Sequence, residues 1–310
     1  MYKILLKQKN DVMKLRIILL FIVLISLTVV FGYNKFSPKN ESLPPVELST
    51  DFKEYWFAGE AEITSYKLDQ SRYGEQRDGT AVLVFVTEDF LPQAQVKADE
   101  KNDSNIPVLK LNAVKKFNTG IYPYSIMQST FYPLAGNSHA LKVSASVQEW
   151  CGQVYTQLNN RENFEITSHS YFEGEADQNM ELDKTWLENE AWTQLRINPD
   201  GLPTGELQML PSLEFFRLSH VEIKAYQATA EFYQDDNLSV YKISYPELHR
   251  NLKIYYNPIF PFTIEKWEET TSKDGESFTT TATKMASLKT NYWDKKFNKY
   301  LPLREKLNLN

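Results

Sequence analysis

Apolar residues along this chain fall mostly on alternate positions, in short runs broken by clusters of Gly, Asp, Asn, Ser and Pro. That is the pattern of half-buried β-strands joined by tight turns. Strands are predicted over 62–73, 80–87, 93–98, 108–117 and 122–132, and again over 206–218, 222–233, 238–245, 251–256, 262–271 and 277–290. The run 80–87, TAVLVFVT, is continuously apolar and rich in β-branched residues, as in a strand covered on both faces.

The phase is most informative over 139–173. Leu141, Val143, Ala145 and Val147 sit at odd positions, whereas Trp150, Val154 and Leu158 are even. Side chains alternate strictly along a strand, so the change of parity calls for a bulge or bend near 147–152, where Gly152 can supply it. After a polar turn at 159–163 the even phase continues in Ile166 and Phe172. Folding this hairpin about position 161 sets Gln153 opposite His169, Cys151 opposite Tyr171 and Glu149 opposite Glu173, with Cys151 diagonal to His169. Glu149, Cys151, Gln153, His169, Tyr171 and Glu173 then share one polar face. A thiol beside an imidazole can be held as a thiolate for nucleophilic or redox chemistry. The same six residues equally describe a solvated sheet surface on which Cys151 is inert.

Between the two strand runs, Leu182, Trp186, Leu187, Ala191 and Leu195 recur at helical spacing, predicting a helix over 182–196 with Thr185 and Glu188 as a capping box. Its Trp and Leu stripe reads as core packing. The basic tail, with Lys295, Lys296, Lys299, Arg304 and Lys306, predicts a short helix with a solvated face. Tyr-rich segments at 122–124 and 255–262 read as core or rim packing rather than a ligand pocket. The expected fold is mainly β: a large antiparallel β-barrel or sandwich over 51–310 with one connecting helix and a short C-terminal helix. The pattern admits one sheet system or two halves joined by the helix 182–196.

The N-terminal residues are set apart by composition. Lys14 and Arg16 precede an uncharged apolar run at 17–31 that ends in Val30, Phe31 and Gly32. Such a run suits a signal peptide better than a membrane span, which takes about 20 residues. Residues 1–32 are therefore expected to be a signal peptide or an N-terminal membrane anchor, with Met13 as an alternative start, and 33–50, with three prolines, a linker. Either way the remainder is exported.

Net charge is −6, and since residues 1–32 carry five basic groups against one acidic group, the rest carries −10. An acidic chain does not supply the basic face that nucleic acid requires. With a single cysteine no internal disulfide can form, and no cysteine follows the apolar run for lipidation. Phosphate-binding glycine loops, HExxH, CxxC and GxSxG are all missing, so neither a cofactor nor a metal is expected. The functional expectation is a non-enzymatic binding, carrier or envelope-interaction protein of a Gram-negative envelope. Its partner would be an apolar small molecule or an envelope protein, with membrane contact only through an uncleaved N-terminal segment. A thiol-dependent enzyme using Cys151 with His169 and a structural subunit of an envelope assembly are the alternatives.

The phrases YWFAGEAEITSYKLDQSRYGE, AVLVFVTEDF, KKFNTGIYPYSIMQSTFYPL, SVQEWCGQVYTQLNN and LPTGELQMLPS resemble an uncharacterised family of exported Bacteroidota proteins, over most of the chain after residue 54. Members of that family have been labelled "septum formation inhibitor Maf". Genuine Maf proteins are cytoplasmic nucleotide pyrophosphatases with an SxSPR-type motif, and here the only Ser-Pro, Ser37-Pro38, lacks that arginine. The resemblance implies compartment and taxon and no site residue.

Overall fold

Alternating apolar residues produce sixteen strands, and these hydrogen-bond into one sheet in the computed structural model, which describes residues 48–134 and 139–309. The first run is β1 (Ala61–Arg72), β2 (Glu75–Leu91), β3 (Val96–Lys97), β4 (Ile106–Thr119), β5 (Tyr122–Pro133), β6 (Lys142–Glu149), β7 (Gly152–Asn160), β8 (Phe164–Ser170) and β9 (Gln178–Leu182). The second is β10 (Trp186–Leu187), β11 (Gly205–Leu210), β12 (Tyr226–Asp235), β13 (Leu238–Tyr245), β14 (Arg250–Tyr256), β15 (Ile264–Lys273) and β16 (Glu276–Thr290). Among the described residues four α-helices accompany them: α1 (Thr50–Trp56), α2 (Glu188–Ile197), α3 (Leu213–Ser219) and α4 (Pro302–Lys306).

Neighbouring strands are neighbours in sequence almost everywhere, as in a meander. The two runs belong to the same sheet because β16 pairs antiparallel with β1, Ala61 opposite Thr290. The sheet is antiparallel except for the short β10–β11 pairing, and it is not closed into a barrel. Its path ends at β9 on one side and β10 on the other, yet only residues 183–185 separate those strands in sequence. Four peptide steps of at most about 3.6 Å hold the two margins within roughly 14 Å. The sheet therefore curls far enough to bring its ends near each other.

One face of the curl carries the main core. Cross-strand register puts Thr64, Tyr66 and Leu68 of β1 on the same side as Ala81, Leu83 and Phe85 of β2, Leu109 and Leu111 of β4, and Ile243, Leu252 and Trp267 of the second run. Tyr124 joins them, its ring stacked on Phe117 with centroids 4.8 Å apart, as expected for core packing. The prediction for β2 needs correcting. Ala81, Leu83 and Phe85 are buried, but Val82 and Val84 on the other face are only half-covered, so the continuous apolar run does not mark a strand buried on both sides. Gly79 in the same strand is obligatory, because a Cβ there would lie 2.4 Å from the Lys116 carbonyl oxygen of β4.

Several boundaries also differ from those predicted. The helix expected over 182–196 begins six residues later: 182 ends β9, Trp186 and Leu187 form β10, and Thr185 donates its hydroxyl to the Gln208 carbonyl instead of capping. The N-terminal cap is made by Glu190, whose carboxylate accepts the Leu187 N–H at 3.1 Å. The strand expected over 206–218 stops at Leu210, and Pro211-Ser212 starts α3, with the Ser212 hydroxyl accepting the Phe215 N–H. Of the strand expected at 93–98 only Val96–Lys97 forms. The export segment 1–32 and most of the linker lie outside the described residues. At the linker's end, Ser49 caps α1 through its hydroxyl. In the C-terminal tail α4 forms, and the Leu307 carbonyl accepts the Ser65 hydroxyl.

Candidate functional site

The polar face predicted around Cys151 is divided by the fold. What reads as one bulged strand over 141–158 is two strands, β6 and β7, joined at Trp150 and Cys151, with Glu149 opposite Gly152. The parity flips because the chain reverses, not because it bulges. Gly152 is required for a different reason: a Cβ there would meet the Tyr171 ring at 2.7 Å. In the β7–β8 ladder Tyr155 faces His169 and Leu158 faces Ile166, two residues away from the predicted pairing. The faces are as predicted for Gln153 and His169, but Gln153 is not opposite His169, and neither Cys151 nor Tyr171 nor Glu173 lies in the ladder.

Cys151, Gln153, His169, Tyr171 and Glu173 are exposed, and His169 lies 3.4 Å from Asp177. Glu149 alone turns to the concave side, where its carboxylate is buried and approaches Arg217. Its other oxygen accepts the Cys151 N–H at 2.6 Å. A hydrogen bond from the thiol to this carboxylate, together with the carboxylate's charge, raises the Cys151 pKa, which disfavours the thiolate. The structure does not bring Cys151 and His169 together.

The concentrated chemistry lies inside the curl, on α2. Eight of its ten residues are buried, including Glu188, Glu190, Asn189, Gln194 and Arg196. A helix buried all round is normally apolar. This one is polar, and strands from different parts of the curl satisfy it. Glu188 takes a bidentate pair from Arg250 of β14 at 2.5 and 2.7 Å and the Tyr245 hydroxyl at 2.8 Å. Arg196 forks onto Glu62 of β1, which also accepts the Tyr55 hydroxyl at 2.5 Å. Glu190 bonds His139 at 2.8 Å and the Ala140 N–H, and Asn189 donates to Gln128 of β5.

Next to Glu188 this network lines a cavity of about 40 Å³, room for a few water molecules. Lys115, Gln128, Glu188, Glu214, Arg250 and Glu269 face it together with Trp192 and Trp267. Lys115 bonds Glu214 at 2.8 Å, and Gln128 donates to the second oxygen of Glu214. Burial raises the Glu214 pKa, and Lys115 offsets this only in part. Burial also acts to raise Glu269, but Arg250 and Lys115 outweigh it and hold that carboxyl below the ordinary range.

Glu214 and Glu269 also form part of an open cleft of about 670 Å³ on the other side of α3. Its floor is polar yet buried: Gln70, Thr280, Ser212 and Glu214 are all below one-tenth exposed. Gln70 donates its amide N–H to Thr280 and to the Ser71 carbonyl, which fixes the amide orientation and leaves its oxygen without a partner among the described residues. Arg72, Tyr73, His220, Lys273 and Phe278 stand around it.

Sequence reasoning missed these residues because periodicity marks which side chains turn inward only when they are apolar. Lys115, Gln128, Arg250 and Glu269 occupy inward positions of their strands and read locally as the outward phase. A usable signal was present in α2, where ENEAWTQLRI has too few apolar positions for a helix so enclosed. Among the described residues no group of three or more His, Cys, Asp or Glu is arranged to hold a metal ion, and no helix is long and apolar enough to cross a membrane. Comparisons with protein-family models, with curated proteins and with solved structures returned no match.

Proposed function

We propose that this protein is an exported, non-enzymatic binding protein of a Gram-negative envelope that takes a small polar molecule into the cleft beside α3. The apolar run at 17–31 after Lys14 and Arg16 supports export. The observation that carries the binding reading is the open 670 Å³ cleft itself, whose lining includes four polar side chains under one-tenth exposed, Gln70, Thr280, Ser212 and Glu214. Thr280 accepts from the Gln70 amide and the Ser71 N–H and keeps a hydroxyl proton to donate, while Tyr73 and Phe278 offer ring faces at the sides, so the cleft suits a polar ligand that can accept a hydrogen bond and lie against a ring. The 40 Å³ cavity is too small for an acyl chain, and the polar side chains buried in the lining of the 670 Å³ cleft favour a polar cargo there over the apolar one expected. Thiol chemistry gains no support, since His169 faces Tyr155 rather than Cys151.

The test is a thermal-shift screen of the full chain against sugars, amino acids and polyamines, together with compounds extracted from the purified protein and identified by mass spectrometry. A saturable rise in Tm that is lost in Gln70→Leu and in Thr280→Val is expected. The reading is overturned by the absence of any saturable ligand, by recovery of acyl lipids alone, or by shifts that survive both substitutions.

A further inference from the structure

Charge on this chain is unevenly placed, and the C-terminal tail is where the sign reverses. Residues 291–310 carry five basic groups against two acidic ones, a net of +3, whereas 33–290 carry −13. Lysines of the strands, such as Lys110, Lys242, Lys266 and Lys284, each sit in an ion pair with a glutamate. Among the described residues none of Lys295, Lys296, Lys299, Arg304 and Lys306 has such a partner, and Lys295 donates to the Asn291 side chain instead.

Large apolar side chains stand among these cations. Trp293, Phe297 and Leu301 are 46, 61 and 57% exposed, and Tyr292 beside them is also exposed. The segment that carries them is seated on the sheet. Short 3-10 turns at Tyr292–Asp294 and Asn298–Tyr300 lead into α4, Leu307 is buried, and its carbonyl accepts the Ser65 hydroxyl at 2.5 Å. Four large apolar side chains left in water within ten residues of a seated segment mark an interaction surface.

Composition and position both indicate what covers it. Protein–protein interfaces are depleted in Lys, and four of the five cations here are Lys. Trp, Tyr, Phe and Leu interleaved with Lys and Arg is instead the make-up of segments that lie in a bilayer interface, with rings at headgroup level and ammonium groups on lipid phosphates. The tail leaves β16 at Thr290, opposite Ala61 at the start of β1, and Lys289 donates to the Tyr55 carbonyl of α1 at 2.8 Å. It therefore starts at the margin where the chain enters the sheet. The apolar run 17–31 ends seventeen residues before Leu48, a span of at most about 60 Å, short enough for a bilayer that took up that run to meet the tail.

We propose that the tail docks on a bilayer surface containing anionic phospholipid. Trp293, Phe297 and Leu301 enter the headgroup layer, and Lys295, Lys296, Lys299 and Arg304 pair with lipid phosphates. The surface is independent of the cleft beside α3, which no residue of the tail lines.

The test mixes the full chain with vesicles of brominated phosphatidylcholine, with and without phosphatidylglycerol, and reads tryptophan quenching. Of the six tryptophans only Trp150 and Trp293 are exposed, and none precedes Trp56, so the signal reports the tail even where an N-terminal segment holds the chain on the vesicle. Quenching is expected on phosphatidylglycerol vesicles, reversed by high salt, lost in Trp293→Phe and kept in Trp150→Phe. Lys296→Gln with Lys299→Gln should weaken docking about fivefold per charge removed, read as the proportion of phosphatidylglycerol needed for half-maximal quenching. No quenching, equal quenching without phosphatidylglycerol, or quenching that survives Trp293→Phe would overturn the proposal. So would a concentration-dependent dimer abolished by Trp293→Phe, which would assign the surface to a second copy. Should the double lysine variant fail to fold, the salt and lipid dependence of the parent chain decides.

Discussion

Arg196 and Glu62, 134 residues apart in sequence, meet through two parallel hydrogen bonds of 2.7 Å in the interior of the curled sheet. Both side chains are at most 2% exposed. The pair fastens the C-terminal part of α2 to β1, while Glu188 with Arg250 fastens its other end to β14. Charge is reversed between the two fastenings, so the helix cannot be seated end for end without placing like charges together.

Removing one partner should be severe. Glu62→Gln leaves the Arg196 guanidinium buried without a counter-charge, and breaking such a pair costs roughly 3–5 kcal/mol. The double substitution Glu62→Leu with Arg196→Met, which removes both charges, should recover a large part of that loss. Urea denaturation of the two variants and the parent chain checks it; equal midpoints for the parent chain and Glu62→Gln would count decisively against a tight pair.

Acid titration should separate two buried carboxylates by sign. Burial acts to raise Glu62, but Arg196 and the Tyr55 hydroxyl outweigh it and hold it below the ordinary 4.5, so its contribution is present above that value and is lost as pH falls through the lowered folded value. Glu214 is raised above 4.5 by burial, so its protonated form favours folding below that value, and the contribution is lost as pH rises through the raised folded value. The stability difference between parent and Glu62→Gln should shrink on acidification below 4.5. That between parent and Glu214→Gln should instead fall as pH rises above it. Slopes of the same sign in denaturation series across pH 3–7 would show that the two environments are misassigned.

Cys151 should be a slow thiol. The Glu149 carboxylate beside it raises its pKa, so iodoacetamide should alkylate it more slowly at pH 8 than it alkylates an unstructured cysteine peptide, and Glu149→Gln should speed the reaction. A fast reaction near neutral pH in the parent chain would revive thiol chemistry.

Gly152→Ala should be destabilising by about 1–3 kcal/mol, because its Cβ would meet the near end of Tyr171, which cannot swing clear without its backbone. Tyr171 is 70% exposed, so Tyr171→Gly, the one substitution that removes the Cβ as well as the ring, should relieve the clash in combination. A thermal midpoint for Gly152→Ala equal to that of the parent would refute the contact.

How much of this was legible in the sequence depends on what each residue does. Strand existence was readable because inward positions such as Val143, Ala145 and Val147 are apolar, and β13 begins and ends where alternation places it. Strand register was less readable: the turn after β7 centres one residue later than its polar letters suggest, which moves every pairing by two. The candidate site was the least readable. Arg217, Lys115 and Gln128 are polar residues on inward positions, and only a three-dimensional neighbour such as Glu214 explains why they can be there.

The three-residue link between β9 and β10 has a mechanical meaning. A fully laddered cylinder has its girth set by strand number and shear, so its bore is fixed. Here the ladder is continuous around the hoop except at one clasp, where no strand pairing joins the two lips. What spans that gap instead is the three-residue link and α2, which follows β10 directly and is tied through Glu190 to His139 and the Ala140 N–H and through Asn189 to Gln128. The girth of this wall is therefore set, at one seam, by side-chain bonds to a helix rather than by a strand ladder.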